Sequence, residues 1–287
     1  MRRSTAGAGL AGALALAVGA LSACTVEDSS PSAPEDALVD RLHATFDNGE
    51  FESEYHLFAS GIDTSRPVGL LVYVDGSGGE GFYDHQSTYL LDSDGEDGLV
   101  GVARRHNLVL LTPVAPPPGC DYEGNIRPDE GEDSNCWYDP ENAEAKATWS
   151  SDLVDEVSGE FDFDEDRIVV GGFSSGAQWA TQYWAPMYGE VYSVDLTVAI
   201  GYGGAPVAEP DFSEDYMSDT AFAWDTGTAD HAYRSDMYGS VSGYDWYTER
   251  GFDTAATWPE GVEHDRPEEF HLIMDREIIR VLGPAGS

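Results

Sequence analysis

An α/β fold, with helices covering both faces of a mostly parallel central sheet, is predicted for this sequence by three observations. Aliphatic runs at residues 68–74, 108–114 and 168–170 lack the polar alternation of a half-exposed strand, so they read as inner strands buried on both faces. Segments with helical spacing lie between strands. The clearest is 143–157, where Trp149, Leu153, Val154 and Val157 fall on one side and Asp152, Asp155 and Glu156 on the other. The third observation is a strand that runs directly into Gly172-Phe173-Ser174-Ser175-Gly176 and then into a helix-like stretch that Pro186 is expected to end. Sheets of this kind bind ligands beyond the carboxyl ends of their strands. Chemistry is therefore expected in the turns at those ends.

At 287 residues the chain can hold one large domain with a sizeable core. Its first part reads as an address. Arg2 and Arg3 precede a run of Ala, Gly, Leu and Val that closes on Leu21-Ser22-Ala23-Cys24, so residues 1–23 read as a secretory signal. The cysteine after Leu-Ser-Ala resembles the lipobox of bacterial lipoproteins, which implies cleavage before Cys24, lipidation of its sulfur and an extracytoplasmic, membrane-anchored protein. Residues 24–38 are small, acidic and proline-containing, as suits a flexible tether, and the folded domain is expected over 39–287. Within it, further strands are expected at 55–60, 194–200 and 220–225, a short helix at 97–105, and a last helix from His271 onward.

Cysteine parity agrees with that address. With Cys24 lipidated, Cys120 and Cys136 are left as a pair in an oxidising compartment, and a disulfide closing the polar loop 116–136 is expected. In the chain-entropy picture such a bridge is worth roughly 3 kcal/mol.

The charge balance narrows the partners. With 54 acidic against 14 basic residues the formal net charge is −40, a field that repels nucleic acid and anionic lipid headgroups. The acids are spread along the chain, as on the solvated surfaces of salt-adapted proteins. The run Asp92-Ser93-Asp94-Gly95-Glu96-Asp97 lacks the spacing and closing glutamate of an EF-hand, so no metal ion is expected there.

A serine in a sharp strand-to-helix turn is placed to act as a nucleophile, but a hydroxyl is a weak one at neutral pH. Ser174 therefore needs a base, and the base needs a group to fix its tautomer. Of the seven histidines, His231, His264 and His271 follow the turn. His231 adjoins an acid directly, and His271 opens a helix. His264, in the turn-rich stretch 259–267, is the best placed. For the acid, Asp230 leads because Thr226-Gly227-Thr228-Ala229 sets it on a tight turn after a strand; Asp225, Asp236 and Asp253 remain open. The inner strand 68–74 runs into Asp75-Gly76-Ser77-Gly78-Gly79, a glycine-rich turn whose amides can face a ligand.

From about Tyr55 to Val281 the chain resembles the α/β-hydrolase esterases grouped with polyhydroxybutyrate depolymerases, feruloyl esterases and acetyl xylan esterases. The resemblance rests on Asp75–Gly79, Cys136-Trp137-Tyr138, Gly172–Gly176, Thr226–Asp230 and Glu263-His264-Asp265. It implies Ser174 as nucleophile, His264 as base and Asp230 as acid, with the amides of Ser77 and Ser175 forming an oxyanion hole. It implies an ester substrate and no cofactor. The chain departs from the family at one point: those esterases usually carry His-Gly at the first loop, where Asp75 stands here. That carboxylate keeps alive a catalytically inactive binding lipoprotein on the same fold. A serine peptidase is the rival within hydrolases, and a solute-binding lipoprotein would need two lobes where one domain is expected. A monomer is expected.

Overall fold

The computed structural model describes residues 38–78, 98–120, 126–127, 136–161, 163–164, 166–264 and 266–284. The predicted signal, Cys24, tether residues 24–37, the acidic run 92–97, most of the loop 116–136 and the Cys120 side chain lie outside what is described. The folded unit spans Leu38–Ser287.

Eight strands form the main sheet, in the order β1-β2-β4-β3-β7-β8-β9-β10. β1 (Arg41–Asp47) and β2 (Glu52–Phe58) make an antiparallel edge, and β2 meets β4 (Leu108–Pro113) antiparallel. From β4 onward every pairing is parallel: β3 (Gly69–Val74), β7 (Ile168–Phe173), β8 (Leu196–Ile200), β9 (Ala221–Asp225) and β10 (Asp253–Thr257). The short pair β5 (Gly119–Cys120) and β6 (Ile126–Arg127) stands apart.

β3 and β4 are buried at every position, which is why neither alternates in sequence. Along β3, Leu70, Val72 and Val74 pack with Trp149, Leu153 and Val157 of α2 (Ala143–Ser158) on one face. Leu71 and Tyr73 pack on the other with α1 (Leu99–Arg105) and α6 (Phe270–Leu282). A third apolar group under β8 and β9 includes Trp224 and Phe222 against Tyr247 of α5 (Ser240–Glu249). The helix α4 (Glu214–Asp219) precedes β9 and is capped by Ser213, whose hydroxyl accepts the Tyr216 amide at 3.2 Å. Among the described residues no helix is long and apolar enough to cross a membrane.

One expectation is corrected. The helix after Ser174 does not end at Pro186; α3 (Ser175–Trp179) continues as a π-helix over Ala180–Gly189 with Pro186 inside it. A proline has no N–H to donate, which deprives the carbonyls four and five residues earlier of a partner. Both are supplied from elsewhere: the Thr181 carbonyl accepts the Tyr247 hydroxyl at 2.7 Å, and the Gln182 carbonyl accepts the Val207 amide at 3.3 Å. Tertiary donors thus carry the helix through the proline.

Candidate active site

β7 ends at Phe173, and the chain turns sharply at Ser174, whose φ of 50° and ψ of −118° lie outside the ordinary regions for a non-glycine residue. Such a conformation costs on the order of 1–3 kcal/mol and persists only where its surroundings hold it. Here the Ser174 amide donates to the Ile200 carbonyl at 2.9 Å, and the Ser174 carbonyl accepts from Gln178 at 3.0 Å. The two flanking glycines are required by space. A Cβ on Gly176 would lie 2.4 Å from the Asp75 carbonyl oxygen, and one on Gly172 would lie 2.8 Å from the Ala177 nitrogen. Glycine at both positions lets the helix start directly against β3 and β7.

Asp230 and His264 ride on neighbouring loops at the same sheet end. The loop after β9 is zipped to the loop after β10: the amides of Thr228 and Ala229 donate to the carbonyls of Pro259 and Val262 at 2.9 and 3.0 Å. The Gly261 amide donates in return to the Thr228 hydroxyl at 2.9 Å. This lacing sets Asp230 opposite His264. The Asp230 side chain is 1% exposed, and its Oδ1 also accepts the Ala232 amide at 2.8 Å. Its Oδ2 lies 2.7 Å from Nδ1 of His264, whose Nε2 lies 2.9 Å from the Ser174 hydroxyl. Phe173 packs against the imidazole with ring centroids 5.0 Å apart, and Tyr202 meets it edge-on at 6.1 Å. Serine, histidine and aspartate, spread over residues 174–264, therefore stand in contact order.

The other acids weighed from sequence are engaged elsewhere or apart. Asp225 is buried between Arg266, which ion-pairs with its Oδ1, and Arg276, 2.8 Å from its Oδ2. Asp253 pairs with Arg280 at 2.7 Å, and Asp236 is exposed in a 3₁₀ turn. His271 is half-buried at the start of α6. His231 points largely to solvent, but its ring centroid lies 4.7 Å from that of His264.

Sequence reasoning missed Arg266. It follows His264 by two residues and is buried, reaching Asp225 with one arm of its guanidinium and Glu269 with the other. Burial disfavours its charge, yet the bonds to those two carboxylates outweigh that and leave its pKa raised. In a chain with few cations, a spent arginine this close to His264 was the available signal.

The first loop lies against the turn. A Cβ on Gly76 would come 3.2 Å from the Ser174 Cβ, so the backbone leading to Ser77 passes beside the serine. Ser175 opens α3, where first-turn amides lack intrahelical acceptors. Asp75 is buried, and its Oδ1 accepts the Gly76 amide at 2.7 Å. The carboxylate is thus turned inward and helps set the glycine turn. The Ser77 hydroxyl lies 3.7 Å from the sulfur of Cys136, which joins this loop to Cys136-Trp137-Tyr138.

That segment is fixed from below by Lys146. Fully buried on α2, its ammonium donates to the carbonyls of Pro118 and Cys136 at 2.8 and 2.7 Å, with Asp139 at 3.7 Å. Burial pushes its pKa down to about 8, with Asp139 opposing the drop. Beyond it, Tyr138 stands between Tyr183 and Tyr238, with ring centroids 6.2 and 5.9 Å away. Burial pushes Tyr183 up to about 12, so its hydroxyl stays neutral and can donate.

No family model and no curated protein sequence matches the chain. Solved structures do. The Bacillus cereus carboxylesterase superposes with a TM-score of 0.51 at 16% identity, over 80% of this chain and 95% of that one. For the acyl-protein thioesterase 2 of Zea mays the values are 0.53, 18%, 79% and 98%. For a thermostable esterase they are 0.55, 18%, 83% and 61%. The chain has the α/β-hydrolase fold. At such identities the likeness speaks for the fold alone. In this fold the turn after β7, the first loop and the loops after β9 and β10 all follow the carboxyl ends of parallel strands.

Proposed function

We propose that the chain is a serine hydrolase of carboxylic esters that works through a covalent acyl-enzyme. The observation that carries this is the chain of contacts from Ser174 Oγ to His264 Nε2 and from His264 Nδ1 to Asp230. In the proposed cycle His264 takes the Ser174 proton as the oxygen attacks the ester carbonyl, while Asp230 holds the ring's tautomer and balances the imidazolium that forms. The amides of Ser77 and Ser175 stabilise the developing oxyanion. His264 then protonates the leaving alcohol, and water repeats the sequence on the acyl-enzyme. No step calls for a metal or organic cofactor.

The finer reading is that of a lipid-anchored esterase of the polyhydroxybutyrate depolymerase, feruloyl esterase or acetyl xylan esterase type. It rests on the Cys-Trp-Tyr segment and the Thr-Gly-Thr-Ala-Asp turn, which are packed into the site described above. In this reading Cys24 is lipidated and the protein is extracytoplasmic and monomeric, with a Cys120–Cys136 disulfide bracing the loop over Lys146. The buried Asp75 favours one alternative, an inactive hydrolase-fold binding lipoprotein. Peptide-bond cleavage is the other.

The test is turnover of short acyl, feruloyl and hydroxyalkanoate esters, beside matched amides, by the full-length chain and by Ser174→Ala in low and high salt. The proposal expects ester cleavage that the variant loses while remaining folded. Equal rates in both proteins would remove Ser174 from the chemistry, preferential amide cleavage would favour the peptidase, and absence of any turnover would favour the binding protein. Intact mass of the membrane fraction tests for a diacylglyceryl-modified N-terminus at Cys24, and mass under reducing and non-reducing conditions tests the disulfide.

A further inference from the structure

Beside the imidazole and carboxylate just described stands a third metal-ligating side chain that the proposed hydrolysis does not use. Asp230, His231 and His264 each offer one ligand atom, and these atoms all lie within 4.8 Å of one another. His231 Nδ1 is 3.4 Å from Asp230 Oδ1, while His264 Nδ1 is 2.7 Å from Asp230 Oδ2, so both rings turn a nitrogen towards the two oxygens of one carboxylate. The His231 side chain is 67% exposed, which opens the group to an ion from solvent.

We propose that this group is an inhibitory site for a divalent transition-metal ion such as Zn2+, resting on the esterase reading for its consequence though not for its existence. Two imidazoles and a carboxylate suit zinc, and the hard oxygen-preferring ions Mg2+ and Ca2+ far less. Ligand atoms around tetrahedral zinc stand about 3.3 Å apart. The His231–Asp230 separation of 3.4 Å is close to that value, and the His264–Asp230 separation of 2.7 Å lies inside it, so an ion entering between them takes the place of the present hydrogen bond. The net charge of −40 raises the local concentration of cations around the whole molecule.

The consequence for catalysis follows from proton placement. A neutral imidazole carries one N–H. With Nδ1 facing Asp230, that proton belongs on Nδ1 and leaves Nε2 as the acceptor for the Ser174 hydroxyl. An ion on Nδ1 moves the proton to Nε2 without net release. The nitrogen facing Ser174 then becomes a donor and can no longer take the serine's proton. The same ion also withdraws Asp230 from its role. Zinc and turnover thus compete for one nitrogen.

The experiment has two arms, both in molar NaCl to screen weak binding to the many surface carboxylates. In the first, Zn2+ is titrated calorimetrically into the full-length Ser174→Ala chain, and Co2+ is added to read the visible bands of a nitrogen-ligated ion. One site per chain above background is expected, and combining Ser174→Ala with His231→Ala should weaken it roughly tenfold or more. In the second, hydrolysis is followed at rising Zn2+ and then with excess EDTA, each protein being compared with its own zinc-free rate. Inhibition that EDTA reverses, and that His231→Ala shifts to roughly tenfold higher zinc, is the predicted result. Equal zinc binding with and without His231 overturns the proposal, as does binding that leaves hydrolysis untouched. A chain that hydrolyses no ester yet binds zinc through His231 sinks the esterase reading while upholding the site.

Discussion

Arg266 ion-pairs with Asp225, and through that contact the loop carrying His264 is fastened to the carboxyl end of β9. The same strand leads into the loop that carries Asp230. His264 and Asp230 are thereby referred to one rigid element, one by an ion pair and the other by chain connectivity.

Arg266 is accordingly expected to act as a positioning residue. Arg266→Ala leaves Asp225 with Arg276 alone, and a cost of about 2–3 kcal/mol in stability is expected from the lost buried charge pair. The kinetic signature is a fall in kcat with KM little changed, partly restored in Arg266→Lys, which keeps the charge without the fork. Denaturant midpoints beside steady-state kinetics check both halves. A uniform rise in KM with unchanged kcat would contradict a role in placing the base.

Lys146 is predicted to control the loop beside Ser77. Lys146→Met removes the cation beside the fully buried Asp139, which keeps the hydrogen bonds from the Glu141 amide and the Asn142 side chain, and takes the donor from two carbonyls, at a cost of about 3–5 kcal/mol. Its pH dependence has a definite sign. The folded pKa of about 8 lies below the ordinary 10.5, so between these values the unfolded chain binds more protons and the group's contribution to stability rises with pH. Urea midpoints on either side of pH 8 are expected to show that rise in the wild type and to lack it in Lys146→Met.

Asp195 carries the opposite signature. Burial raises its pKa to about 6 from 3.8, although its Oδ2 accepts the Ile168 amide at 2.7 Å. Between these values the folded chain holds the extra proton, so the group's contribution to stability is lost as pH rises through that window. Asp195→Asn keeps the acceptor and removes the charge. Its melting temperature is expected to exceed the wild type's at pH 7 and to converge with it near pH 4; a lower value at pH 7 would count against the burial penalty.

The sequence was most legible where one physical demand dominated. Inner strands such as β3 and β4 must be apolar on both faces, and the turn at Ser174 must be flanked by glycine, so composition and spacing betray both. β1 and β10 carry no such signal, because each is an edge strand of mixed polarity with no fully buried position. α5 was missed for another reason: its Ser-Val-Ser-Gly-Tyr start reads as a loop. Gly243 is there because a Cβ would come 2.0 Å from the Gly203 carbonyl oxygen. Pro186 misled because the donors that rescue the helix come from Val207 and Tyr247, far along the chain. Asp230 could be preferred over Asp225 from turn chemistry, but the reason Asp225 is unavailable, its two arginines, exists only in three dimensions. The acidic composition hid local meaning as well, since any one carboxylate among so many carries little information.

The central claim is that Ser174 is made nucleophilic by His264 and Asp230, and its most direct measurement is covalent labelling with a fluorophosphonate. The account predicts one adduct per chain, located by mass spectrometry on the peptide containing Ser174. Labelling should slow by orders of magnitude in His264→Ala and disappear in Ser174→Ala. An adduct on another residue, or labelling of folded His264→Ala at the wild-type rate, would contradict it.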